Sequence, residues 1–229
     1  MLSLIAALKL PRSVIARVPA AELVKKERGD IKRDIMAMLT HRGILTTSVV
    51  EAVQYFAFGC LEVFLPIYLY EEMGFEALSI GLLFTIQLLV AALTKPWMGR
   101  LSDHHGRVPI LVIGLLLGAV SITTITWSNN YALIAVLIGL FGLGLATVTA
   151  SSAALVADLA RESSYGGALG VLSSVMDIGH STGPMVGGLL IATHNYRTAF
   201  GIIGGILALT SLVFGLTMRR ILSTRSSSK

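Results

Sequence analysis

Residues 108–127 read VPILVIGLLLGAVSITTITW, a run without one acidic or basic side chain. The ~30 Å hydrocarbon core of a bilayer is crossed by ~20 apolar residues wound as a helix, and this run has that length. Working outward, five more runs of the kind appear, at 46–70, 77–98, 131–157, 166–193 and 199–218. Three of the six, 108–127, 131–157 and 199–218, hold no Asp, Glu, Lys or Arg, and the others hold one or two each. The pattern predicts an all-α membrane protein with a six-helix transmembrane domain over 46–218, preceded by a segment 1–45 and followed by a tail 219–229.

Composition agrees. Of 229 residues 54% are hydrophobic and 14% charged, against about 25% charged in soluble domains, so there is too little polar surface for a water-soluble fold. The single cysteine, Cys60, excludes an internal disulfide and a multi-cysteine zinc site. A net charge of +5 would hint at nucleic acid in a soluble chain, but here the position of the charges decides. Sixteen of the eighteen Lys and Arg fall in segments on one side of the spans: residues 1–45, the stretch 99–107, Arg161, and the tail. Lys95 can snorkel to that side, and Arg197 alone lies opposite. Since cations mark the cytoplasmic side, both termini are expected in the cytoplasm, the protein in the cell membrane, and no nucleic acid, metal or other cofactor is called for. Met1–Leu10 is apolar but half a span long, and Ile31, Ile35, Met38 and Leu39 recur at helical spacing among charges. They predict an amphipathic helix over 30–40 on the inner membrane surface. The serine-rich end, 223–229, is expected to fray.

The connection between the second and third spans reads Gly99-Arg100-Leu101-Ser102-Asp103-His104-His105-Gly106-Arg107. Asp103 and Arg107 can cap and pair across a tight turn, with Gly99 and Gly106 giving backbone freedom and close helix approach. In the fifth span Gly170, Gly179, Gly183-Pro184 and Gly187-Gly188 recur. At 100° per residue Gly179, Gly183 and Gly187 form a small-residue stripe on which another helix can pack closely. Ser173, Ser174, Asp177, His180 and Ser181 take the other side. Pro184 deprives the His180 carbonyl of its helical partner, which predicts a kink there and a cavity or hinge at mid-membrane. In the first span Glu51, Tyr55 and Glu62 fall within about 40° of one another, with Gln54 nearby.

A charge at the bilayer centre costs ~2.5–3.5 kcal/mol on insertion scales, so these acids must meet water, a partner or a proton. Glu51, Tyr55, Glu62, Asp177 and His180 are therefore the candidate substrate and proton residues, with Asp177 or Glu62 exchanging the proton and His180 relaying it. The plainer alternative is that they satisfy one another between helices, Glu51 lying near the inner interface. Gly179-His180-Ser181-Thr182-Gly183 fits a serine-hydrolase elbow, but that chemistry needs a strand before the turn and a helix after it. His104-His105 lack the remaining ligands of a metal site.

The 99–107 segment resembles the cytoplasmic loop signature of the major facilitator superfamily at Gly99, Leu101, Asp103, Gly106, Arg107 and Leu111. His104 and Val108 stand where that family carries basic residues. The glycines of the fifth span, with Pro184, are similar to the family's antiporter motif, prominent in drug–proton exchangers. Asp158-Leu159-Ala160-Arg161-Glu162, and Tyr196-Arg197 with Ala199-Phe200, extend the resemblance over about 44–218, while Tyr165-Gly166 replaces a common Arg-Gly. The resemblance implies that Asp103 and Arg107 belong to a charge network latching one conformation of an alternating-access carrier. It also implies twelve or more helices in two halves, of which this chain supplies one. Met1–Leu10 and the basic stretch after it resemble the end of a sixth helix and a central cytoplasmic loop, which favours the C-terminal half. The antiporter motif, best known from a fifth helix, points to the N-terminal one.

The expectation is a secondary transporter, or half of one, and not an enzyme. It would move a small solute by alternating access, with proton-coupled efflux of a drug-like compound as the candidate activity. Its partners are the bilayer, the solute, a proton, and a second six-helix half or a homodimer mate. The alternative is a non-transporting structural or regulatory subunit, or a truncated gene product.

Overall fold

The structure, a computed structural model, describes residues 41–160 and 165–226, with side chains through 218. The amphipathic helix expected over 30–40 lies outside the described residues, as do Arg161 and Glu162. Six helices follow one another: α1 Arg42–Glu71, α2 Ala77–His105, α3 Arg107–Ile125, α4 Tyr131–Leu159, α5 Tyr165–Thr193 and α6 Tyr196–Ser226. Five of them are long and apolar enough to cross a membrane. The exception is α5, with 29 residues the equal of α2 and α4 in length. Its Ser173, Ser174, Asp177, His180 and Ser181, together with its glycines, dilute the apolar content that the expectation of six such runs assumed.

The helix ends are set by local chemistry. His41 caps α1, its Nδ1 accepting from the Ile44 amide at 3.3 Å. The Asn130 side chain accepts from the Ala132 amide at 2.8 Å to start α4, and Asn195 does the same for Thr198 in α6. α6 runs eight residues past the expected boundary at Met218, because no Gly or Pro follows Gly215 to stop it. The largest correction is between α2 and α3. Gly99 to His105 are helical, and the connection shrinks to Gly106 alone, whose φ of +91° is a conformation side chains rarely adopt. Gly99 is not a close-approach glycine either, since a Cβ there would meet only Ala150, at an ordinary 4.0 Å. α5 continues through Pro184 as one helix.

The main core lies where α1, α3, α4 and α6 meet, with Leu61, Leu65, Leu111, Leu115, Phe141, Phe200 and Phe214 fully buried. Small residues set how closely α3 and α4 pack. A Cβ on Gly114 would come within 2.9 Å of Val148, and one on Gly144 within 2.8 Å of the Gly114 carbonyl. α2 and α5 flank this core, α2 resting on α4 and α5 on α1. Both carry exposed large apolar side chains, Leu78, Leu88 and Leu93 on α2 and Ile178, Met185 and Leu189 on α5.

Candidate functional site

α1 and α5 run side by side in the same direction, and glycines hold them together. A side chain on Gly179 would run into the Ala52 carbonyl, one on Gly183 into the Phe56 carbonyl, and one on Gly187 into the Cys60 sulfur. The fit is reciprocal, for a side chain on Gly59 would strike the His180 carbonyl, the acceptor that Pro184 leaves without a helical donor. Only a Cα hydrogen fits at each point, the geometry of Cα–H···O contacts between closely packed membrane helices. A Cβ on Gly188 would lie 3.0 Å from the edge of the Phe64 ring, whereas one on Gly170 would have nothing within 4 Å, so Gly170 plays no part in this seam. The stripe expected on α5 is thus in place with α1 as its partner. Gly59, which completes it, has no second glycine one turn away on α1 to mark a stripe.

The other face of α5 is the polar one, with Ser173, Ser174, Asp177 and Ser181 exposed. Here His180 Nε2 lies 3.0 Å from Glu62 Oε2 of α1, both side chains about half exposed. Phe58 stacks on the imidazole at 5.5 Å and 12°, and Tyr55 meets it edge-on at 6.0 Å. Phe58 also stacks on the buried Phe141 of α4 at 6.5 Å, so the ring series ties the pair to the core. Asp177 remains exposed and joins no ion pair among the described residues. An acid, an imidazole and two aromatic rings thus share one side of an otherwise apolar helix pair. They can hold a proton between carboxylate and imidazole, and can meet a ligand through π-faces and a carboxylate.

Glu51 does not belong to this group. It is 4% exposed and accepts a hydrogen bond from the Ser152 hydroxyl of α4. Shared rotation about the α1 axis put it with Glu62, but eleven residues separate them by about 16 Å along that axis, so their neighbours differ. Ser152 was missed because nothing in sequence distinguishes one serine of a small-residue run from the next.

The second site is at the end of the bundle where α2 turns into α3. Arg107 pairs with Asp103 one turn earlier in sequence, donates from Nε to Asp158 Oδ2 at 3.0 Å, and donates from Nη1 to Ser102 Oγ at 2.9 Å. The expected Asp103–Arg107 contact is present and spans the Gly106 break. Asp158 of α4 adds the link that fastens the α2–α3 corner to a third helix. That acid stands at the C-terminal end of α4, just past the fourth apolar run, and that position was the available signal. Among the described residues no group of three His, Cys, Asp or Glu side chains assembles to hold a metal ion, and His105 instead approaches the Leu101 carbonyl at 3.4 Å.

The sequence profile of the Major Facilitator Superfamily matches residues 47–229, which takes in both the α1–α5 seam and the Arg107 corner. The chain belongs to the major facilitator superfamily. It is 32% identical over 161 residues to Multidrug resistance protein MdtG of Proteus mirabilis, covering 68% of this chain and 40% of that one. It is 30% identical over 161 residues to the multi-drug resistance efflux pump PmrA homolog of Lactococcus lactis, covering 69% and 39%. The MdtG of Escherichia coli gives 32% over 167 residues, covering 69% and 39%. The chain thus aligns with about two fifths of the length of these relatives. Membership makes it an integral membrane protein of a carrier family rather than an enzyme, with half of that family's helical bundle described here.

Proposed function

We propose that this chain is one six-helix half of a proton-coupled exporter of small, drug-like solutes, working by alternating access. The observation that carries the reading is the Glu62–His180 pair, half exposed with Tyr55, Phe58 and Asp177 around it, on a face that α1 and α5 leave open. Acids on that face would each cost a few kcal/mol against lipid, so they belong against a water-filled pathway and a second half. Multidrug efflux in the names of the relatives supports the substrate class. The Arg107 knot to Asp103, Ser102 and Asp158 serves as the inner latch, opening and closing as the halves rock. The partner is a second six-helix half or a second copy of this chain, both termini face the cytoplasm of a cell whose plasma membrane holds the carrier, and this chain is its C-terminal half.

The test is proton-driven export by the complete assembly in vesicles, comparing wild type with Glu62→Gln and Asp177→Asn. Loss of the response to a proton gradient, with solute binding retained, is the expected result for the coupling acid. Unchanged proton-driven export by both variants would reject the reading.

A further inference from the structure

Away from the α1–α5 face, α1 also buries an acid against α4. Glu51 is 4% exposed, and among the described residues the Ser152 hydroxyl is the hydrogen-bonding group that reaches its side chain. The same hydroxyl lies 3.3 Å from the Thr149 carbonyl of its own helix. Glu51 joins no ion pair among the described residues. Few charged or titratable groups surround it. Lys95 of α2 acts on it only through space. Tyr55, one turn along α1, feels the charge of both Glu51 and Asp177 of α5, and His180 of α5 is taken by Glu62. The spans of α3, α4 and α6 contribute none, since 108–125, 132–157 and 199–218 hold no Asp, Glu, Lys, Arg, His or Tyr.

A hydroxyl has one hydrogen to donate, whereas an ionised carboxylate can only accept. With Glu51 ionised, the Ser152 hydrogen goes to the carboxylate, the Thr149 carbonyl faces a bare oxygen, and a single donor is left to hold a buried charge. A charge taken out of water needs more than that, a paired ion with hydrogen bonds. With a proton on Glu51 the bond turns round. The carboxyl O–H donates to Ser152 Oγ, and Ser152 donates onward to the Thr149 carbonyl. Both contacts are then hydrogen bonds, and no charge is buried. We infer that Glu51 binds a proton in this conformation, as the donor of a hydrogen-bond chain through Ser152 to the Thr149 carbonyl of α4, a proton site separate from Glu62 and His180. The inference deepens the proton-coupled reading by adding a second titrating acid, while the site itself stands on the α1–α4 contact alone. Losing that proton places a charge in the contact, so proton release requires α1 and α4 to part there or to admit water.

The experiment is infrared spectroscopy of the full chain in lipid nanodiscs at neutral pH, in water and in heavy water. Wild type should show the C=O stretch of a protonated carboxyl, displaced in heavy water. Glu51→Gln should remove that band and Glu62→Gln should keep it. Ser152→Ala should move it to higher frequency, because the carboxyl loses its hydrogen-bond acceptor. The glutamine amide can donate to Ser152 as the neutral acid does, so Glu51→Gln should also keep the wild-type Tm, and Glu51→Ala should lower it. No protonated-carboxyl band in wild type, a band undiminished in Glu51→Gln, or a band unmoved by Ser152→Ala would overturn the inference. Wild type and Ser152→Ala decide without Glu51→Gln, so the test survives a failure of that variant to fold. Proton-driven export in Glu62→Gln and Asp177→Asn reads a different quantity, so either result can fail while the other stands.

Discussion

Gly183 and Gly170 belong to one motif in the sequence and have opposite surroundings in the fold, so alanine at each makes a matched pair. At Gly183 a new Cβ would overlap the Phe56 carbonyl oxygen and lie 3.0 Å from the Phe56 carbonyl carbon and 3.1 Å from the Cys60 nitrogen. All three atoms are backbone of α1, so no rotamer change relieves the contact, and the two helices must part by about 1 Å. A gap of that size forfeits a quarter to a half of each dispersion contact along the seam, and overpacking of this kind costs about 1–3 kcal/mol. At Gly170 nothing lies within 4 Å, so alanine should stabilise the helix by about 0.5–1 kcal/mol. Thermal unfolding in detergent measures both, with Gly183→Ala expected to lower Tm by about 2–10 °C and Gly170→Ala to hold or raise it. Equal effects at the two positions would refute the parallel α1–α5 seam.

Three other outcomes are expected. A double-mutant cycle on Arg107→Ala and Asp158→Ala should give a coupling of about 0.2–1 kcal/mol, since Asp158 is largely exposed, and the coupling should shrink in high salt. Tyr68→Phe removes a 3.2 Å bond to the Thr126 carbonyl, which also accepts from Arg197 Nε at 3.2 Å, and chemical denaturation should show a loss of about 0.5–1.5 kcal/mol. Arg197→Met should cost at least as much, because the guanidinium also lies over the Trp127 ring at 5.4 Å, and Trp127 fluorescence should report its departure.

The spans were legible because apolar length is a direct requirement of the bilayer. So was the division of α5 into a glycine face and a polar face, because helical rotation fixes it. What rotation cannot supply is the neighbour. Glu51 and Glu62 share a stripe, yet one meets Ser152 of α4 and the other His180 of α5. The corner at Gly106 was read as a nine-residue loop because Asp103, His104 and His105 are polar. In the fold they extend α2 past its apolar stretch, since only Gly106 itself requires a backbone break. Asp158 was seen as part of a family signature, but its partnership with Arg107 depends on α4 ending beside the α2–α3 corner, which no local pattern encodes.

The account rests on the polar face of α5 lining a water-filled path, in contrast to the exposed apolar face of α6 that carries Leu209, Leu212 and Leu216. Replacing Cys60 by alanine and placing single cysteines at Asp177 and at Leu212, both exposed in the six-helix unit, allows a direct comparison in membranes with a water-soluble, impermeant thiol reagent. Rapid labelling at 177 and none at 212 is the predicted result. Equal protection of both positions, or labelling at 212 alone, would contradict it.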